Sequence, residues 1–249
     1  MGDENDSQQY IERCSNGYMS DSAAVSFHVG LTPSVVIDAA VGLTRATHLW
    51  GWSIRDLARR LDVSPSVIYH HVGGKDLLAR HVVERVLTGT PVPSRRLAWQ
   101  EWFRGLLADL YPRVVSHPGS AKWLLLHGPT FPSVLPIIDT GIGVLQDAGF
   151  GDRAAFSYAA LLNNAMLTVS IGDERLIHED DGPRDHGALM AEFDRAGQHS
   201  PGVAVLATQF VASFVAGGEP ADRERRRYYD FIVDTTIAGL ERLPERTEQ

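Results

Sequence analysis

SIRDLARRLDVSPSVIYHHV, residues 53–72, is the stretch whose spacing decides the fold. Ile54, Leu57, Ala58 and Leu61 fall at i, i+3, i+4 and i+7, so one face of a two-turn helix is apolar while Arg55, Asp56, Arg59 and Arg60 stay outside it. Ser53 stands ahead of it as an N-cap, and Asp56 three residues on makes a near capping box. Asp62 occupies the turn, where a left-handed backbone is wanted and Asp is better tolerated than most side chains. Val63 plugs the turn and Ser64 is placed to cap a second helix. Pro65 suits the first position of that helix, since its missing N–H would be unpaired there anyway, and Ile68 and Val72 turn inward. Two short helices joined this way make a helix-turn-helix, a unit that lays its second helix in the DNA major groove. Similar helix pairs also occur in bundles that never meet nucleic acid, and spacing alone leaves both readings standing.

Outward from this unit the pattern stays helical. Thr32-Pro33 opens a first helix whose inward stripe is Val36, Ala39, Ala40, Leu43, Thr47 and Trp50, ending near Gly51. Gly73-Gly74 breaks the chain after the second short helix, and KDLLARHVVERVL resumes the period through Leu77, Leu78, His81, Val82 and Val86. TGTPVPS, residues 88–94, is a domain boundary by composition. Three parts follow: a polar extension over 1–31, a helix-turn-helix domain over 32–87 and a helical body over 95–249. In the body the spacing predicts helices near 95–116, 119–127, 132–148, 152–175, 201–216 and 221–243, with Gly149-Phe150 as a helix stop and residues 173–200 including a long, mobile connection. The fold class expected is all-α.

Composition narrows the function. The chain of 249 residues carries net charge -8, which argues against nonspecific coating of nucleic acid. Residues 32–90 nevertheless hold seven basic and five acidic residues, a mildly positive module on an acidic body. The single Cys14 excludes an internal disulfide and fits a cytoplasmic protein. No secretory leader and no continuous apolar run of membrane-spanning length is seen, so no membrane partner is expected. No Gly-rich phosphate loop, nucleophile elbow or paired metal-ligand spacing appears, so neither catalysis, cofactor nor metal is expected. The acidic run around His178, Glu179, Asp180 and Asp181 reads as solvated charge.

The three-helix unit followed by Tyr69, Val72, Lys75 and Leu78 in the spacing Tyr-x-x-Val-x-x-Lys-x-x-Leu resembles the TetR (tetracycline repressor) family of transcriptional regulators. HPGSAKWLLLHGPTFPS, LQDAGF and FIVDTTIAGLERL look like the C-terminal domain of its tetracycline-repressor branch. By that resemblance Ser66, Val67 and His70 face base edges with Pro65 at the helix tip, while Ser53, Arg55, Tyr69, His71 and Lys75 sit where relatives touch phosphates or groove walls. A tip of Pro, Ser and Val is poor in bidentate readers, so operator recognition leans on thymine methyls and DNA shape.

The resemblance also implies a homodimer, a double-stranded DNA operator and a small-molecule effector. Two body helices carry stripes fit for dimerisation: Phe156, Ala160, Asn163 and Leu167 on one, Phe231, Thr235 and Leu240 on the other. The alternative is that both stripes face the protein's own core. The aromatic cluster containing Trp102, Phe103, Trp123, His127 and Phe131 is the expected effector lining, with Asn163, Asn164 and Leu167 opposite. In tetracycline repressors a His within the segment matching AKWLLLHG ligates drug-bound magnesium. Here Leu124 stands at that point, so a largely apolar effector without a metal is expected. Two other readings remain: a regulator or activator of the same fold without an effector, and a helical small-molecule-binding protein that never meets DNA.

Overall fold

The structure, a computed structural model, describes residues 31–174, 186–212 and 218–243. Every regular element among them is helical, as expected. α1 (Pro33–Ala46), α2 (Ile54–Leu61), α3 (Pro65–Val72) and α4 (Lys75–Leu87) come first. Then follow α5 (Trp99–Val115), α6 (Ser120–His127), α7 (Leu135–Asp147) and, after a 3-10 turn at Gly151–Arg153, α8 (Ala154–Glu174). α9 (His186–Gly197), α10 (Pro201–Leu206) with a π turn at Ala207–Val211, and α11 (Gly218–Glu241) complete the described chain.

α1 packs on α2, α3 and α4 around Val36, Ala40, Leu57, Ile68, Leu78 and Val82, all fully buried. The first helix is shorter than its pattern suggested, and Thr47 and Trp50 are exposed while Thr44, His48 and Leu49 are buried. The cause is tertiary. Leu49 N–H donates to the Pro118 carbonyl at 2.8 Å, which draws the chain off the helical path, and Thr44 Oγ1 accepts from the indole of Trp52 at 3.1 Å.

In the body, α8 packs against α5, α6, α7 and α11. Its segment Gly151–Asp173 is long and apolar enough to cross a membrane by length and composition, and here Leu161, Ala165, Met166 and Val169 are buried among the neighbouring helices. α7 ends as predicted: Gly149 takes φ 86°, Phe150 N–H reaches the Leu145 carbonyl at 3.1 Å, and the Phe150 ring packs edge-on to Trp99 at 5.1 Å. Within residues 173–200, where a long connection was expected to lie, α9 occupies His186–Gly197 and residues 175–185 lie outside the described residues. Ala, Leu, Met and Glu between residues 188 and 192 are strong helix formers, and they outweigh the polar composition around them. Cys14 and the run from His178 to Asp181 lie outside the described residues.

Candidate nucleic-acid interface and internal cavity

The helix-turn-helix is built by its own polar groups. Ser53 Oγ accepts from Asp56 N–H at 3.2 Å and Ser53 N–H donates to Asp56 Oδ2 at 2.9 Å, a full capping box. The Ser53 hydroxyl and amide, with Arg59 behind them, hold the Asp56 carboxyl below the usual carboxylate range. Asp62 adopts φ 54° and ψ 47°, the only positive φ of a non-glycine among the described residues. Its conformation lets Val63 N–H reach back to the Ala58 carbonyl at 3.0 Å. Ser64 does not cap α3 with its side chain; its hydroxyl pairs with that of Ser66 at 2.9 Å instead.

Ser53, Arg55, Pro65, Ser66, Tyr69 and His70 are exposed, with Val67 and His71 half-buried. These are polar donors and small apolar groups suited to phosphates and groove edges. Lys75 departs from the expected exposed position. Its Nζ lies 2.7 Å from the centroid of the Trp52 ring and 5.7 Å from that of Trp50, buried and without a hydrogen-bond partner among the described residues. Burial lowers the ammonium to about 7, against the opposing pull of Asp56. Among the described residues no cluster of three or more His, Cys, Asp or Glu side chains offers a metal site.

A cavity of about 280 Å³ opens in the body. Its wall takes Leu87 from α4, Leu110 from α5, Leu124 and Leu125 from α6, Ile137 and Ile138 from α7, and Tyr158 and Asn163 from α8. No charged residue is among those that line it. The aromatic residues expected to line an effector site are not in the wall of this cavity. Trp102 and Phe103 are fully buried against each other at 4.8 Å, and Trp123 stacks between His127 at 4.4 Å and Phe131 at 5.5 Å. Trp102, Phe103, Trp123 and Phe131 pack as core beside the cavity, while His127 is exposed where it covers Trp123. Asn164 instead donates to Thr236 Oγ1 at 3.2 Å, and Leu167 lines a groove between α8 and α11; Asn163 does line the cavity.

Specific ties join the first four helices to this body. Arg113 donates to the carbonyls of Val86, Thr88 and Gly89 at 3.5, 3.1 and 2.8 Å. Arg80 donates to the Thr130 carbonyl at 3.3 Å. Gly119, at φ 88°, donates its N–H to the buried carboxylate of Asp173 at 3.0 Å, and a Cβ there would lie 2.5 Å from the His48 ring. The face of α8 and α11 that turns away from this packing is apolar: Phe156, Leu167 and Phe231 are 80%, 49% and 60% exposed, and Ala160, Thr235 and Leu240 continue the stripes.

No family model matches the chain. A curated "HTH-type transcriptional regulator" from Saccharopolyspora erythraea is 23% identical over 194 residues, covering 68% of this chain and 82% of that protein. The TetR family protein ActR of Streptomyces coelicolor, solved in complex with actinorhodin, matches at 22% identity and TM-score 0.62, over 84% of this chain and 97% of its own. A possible TetR family transcriptional regulator from Streptomyces coelicolor A3(2) matches at 21% identity and TM-score 0.67, over 84% and 98%. The chain has the TetR fold.

Within this TetR fold, sequence reasoning named only Asn163 of the residues in the cavity wall, and Tyr158 is the polar one it missed. It shares a helical stripe with Leu162, Ala165 and Met166, which reads as plain core. The TetR fold turns that stripe toward a space between helices, and only the placement of α6 and α7 reveals it.

Proposed function

We propose that this chain is a cytoplasmic, effector-responsive transcriptional repressor that acts as a homodimer on a palindromic operator. Residues 32–87 would read DNA and residues 95–249 would hold the effector and the partner subunit. The observation that carries this reading is the place of Leu87. It is the last residue of α4 and part of the cavity wall, while the same helix begins at Lys75, next to the end of α3. A molecule filling the cavity therefore presses on the helix that supports the reading surface. An effect of roughly 5- to 150-fold on operator affinity is the usual range for such coupling.

The uncovered apolar face of α8 and α11 supports the homodimer, since paired helices of this kind close into a four-helix bundle. Dimerisation would set two α3 helices about 34 to 36 Å apart, one turn of DNA. ActR, of the same fold, is solved with actinorhodin, which supports a small-molecule effector here. The cavity wall makes that effector largely apolar. Genomic fragments retained by the purified protein and then sequenced should share a palindrome. Replacing Ser66 and Tyr69 together with Ala and Phe should abolish that enrichment, and Phe231→Glu should yield a monomer in sedimentation with loss of operator binding. Capture of no fragment above background would sink the proposal.

A further inference from the structure

We propose that Tyr158 is the specificity-determining donor of the cavity, giving its hydroxyl proton to a hydrogen-bond acceptor on a neutral, compact, mostly apolar effector. The inference rests on the cavity being the effector site and goes on to name what it takes. Among the described lining residues Tyr158 carries the only hydroxyl, and that hydroxyl has no hydrogen-bond partner among the described residues. Asn163 is the one other polar side chain in the wall. Tyr158 is part-buried, and its hydroxyl is not sealed from solvent, so a ligand that fills the cavity takes water from it and is favoured when it supplies an acceptor in return.

The ring is held in place before any ligand arrives. It packs edge-on against Phe103 at 5.8 Å, and α7 approaches so closely at Gly141 that a Cβ there would lie 2.7 Å from Tyr158 Cε2 and 2.9 Å from Trp102. A donor that need not be ordered on binding discriminates more sharply. Burial pushes the Tyr158 phenol up to about 12, so it remains a donor throughout the neutral range.

The rest of the wall defines the class. With no cation in the lining, a carboxylate or phosphate would enter without a counter-charge, so anions are rejected. A pure hydrocarbon would leave the phenol unpaired. A space of about 280 Å³ corresponds to roughly nine waters of liquid volume, which suits one compact ring system bearing a carbonyl or ether oxygen.

Three probes of similar size test this by equilibrium dialysis: 2-acetonaphthone, 2-ethylnaphthalene and 2-naphthoate. The wild-type protein should bind the ketone about 3- to 10-fold tighter than the hydrocarbon, and the carboxylate at least about tenfold weaker than the ketone. Tyr158→Phe, which keeps the ring and its packing, should erase the preference for ketone, weakening the ketone and binding the hydrocarbon at least as tightly as the wild type does. An unaltered thermal midpoint serves as the folding control. Loss of both neutral probes alike, or a preference that survives in Y158F, overturns the role of Tyr158. Binding of 2-naphthoate as tight as the ketone overturns the neutral class. Failure of the wild-type protein to take up either neutral probe overturns the cavity reading itself, and the assignment with it.

Discussion

α2 and α6 are both eight residues long, yet they are held in opposite ways. α2 carries its own ends: Ser53 and Asp56 satisfy the first turn, and Asp62 closes the last one in the left-handed conformation. α6 has no side-chain cap. Its N-cap is Gly119, whose amide is satisfied by Asp173, 54 positions away, and where a Cβ would meet the His48 ring. The start of α2 is thus set by local chemistry and is insensitive to the body. The start of α6 is set by the segment after α1 and by α8 together, so a helix that supplies two cavity residues, Leu124 and Leu125, is positioned only as well as its neighbours are.

The sharpest way to break this contrast is at Gly119. A Val there would bring its Cβ to 2.5 Å from His48 and 2.9 Å from the Leu49 Cβ, at a φ of +88°. Strain and overpacking should together cost about 3 kcal/mol in urea unfolding. A loss under 1 kcal/mol would mean that α6 yields as readily as a surface helix.

Lys75 tests whether α2 is as self-sufficient as its caps imply, because Trp52, just before Ser53, carries the Lys75 ammonium on its ring. Folding lowers this group from its usual 10.5 to about 7. Between those values the unfolded chain holds more protons than the native one, so the contribution of Lys75 to stability rises with pH across the window and its penalty is fully present below about 7. Lys75→Met should therefore be the more stable protein at pH 6.5 and lose that advantage toward pH 10. A gap in thermal midpoint that is constant over this range would show that Lys75 does not titrate in contact with Trp52.

Smaller changes belong to the locally built helix. Ser53→Ala removes the capping box and should cost about 1 kcal/mol, well below the loss at Gly119. Asp62→Gly should give the smallest effect, a gain below about 1 kcal/mol from relief of the left-handed backbone. A loss there would mean that the Asp62 side chain does more than tolerate its φ.

The same contrast explains what the sequence could reveal. The capping box, the Asp62 turn, Pro65 and the Gly149-Phe150 stop are all decided within a few residues, so their spacing is readable. The cavity is assembled from Leu87, Leu124, Ile137 and Tyr158, which are far apart in the chain and individually look like core. Trp102, Trp123 and Phe131 stand outside that wall because large rings clustered in sequence fill each other's surfaces. Lys75 was legible as a residue type but not as a rotamer, since the choice between solvent and the Trp52 face depends on how α2 and α4 meet. The stripes through Phe156, Leu167 and Phe231 were legible as faces, because a helix repeats them on one side.

Arg113 gives the molecule a pivot. By clasping the carbonyls of Val86, Thr88 and Gly89 it anchors the C-terminal end of α4 to α5. From Leu87 to Lys75 the arm measures about 18 Å, so a tilt of about 5° at the anchored end sweeps the far end through about 1.5 Å. In the proposed response, a displacement too slight to notice beside Leu87 would be geared up at the tip of the arm.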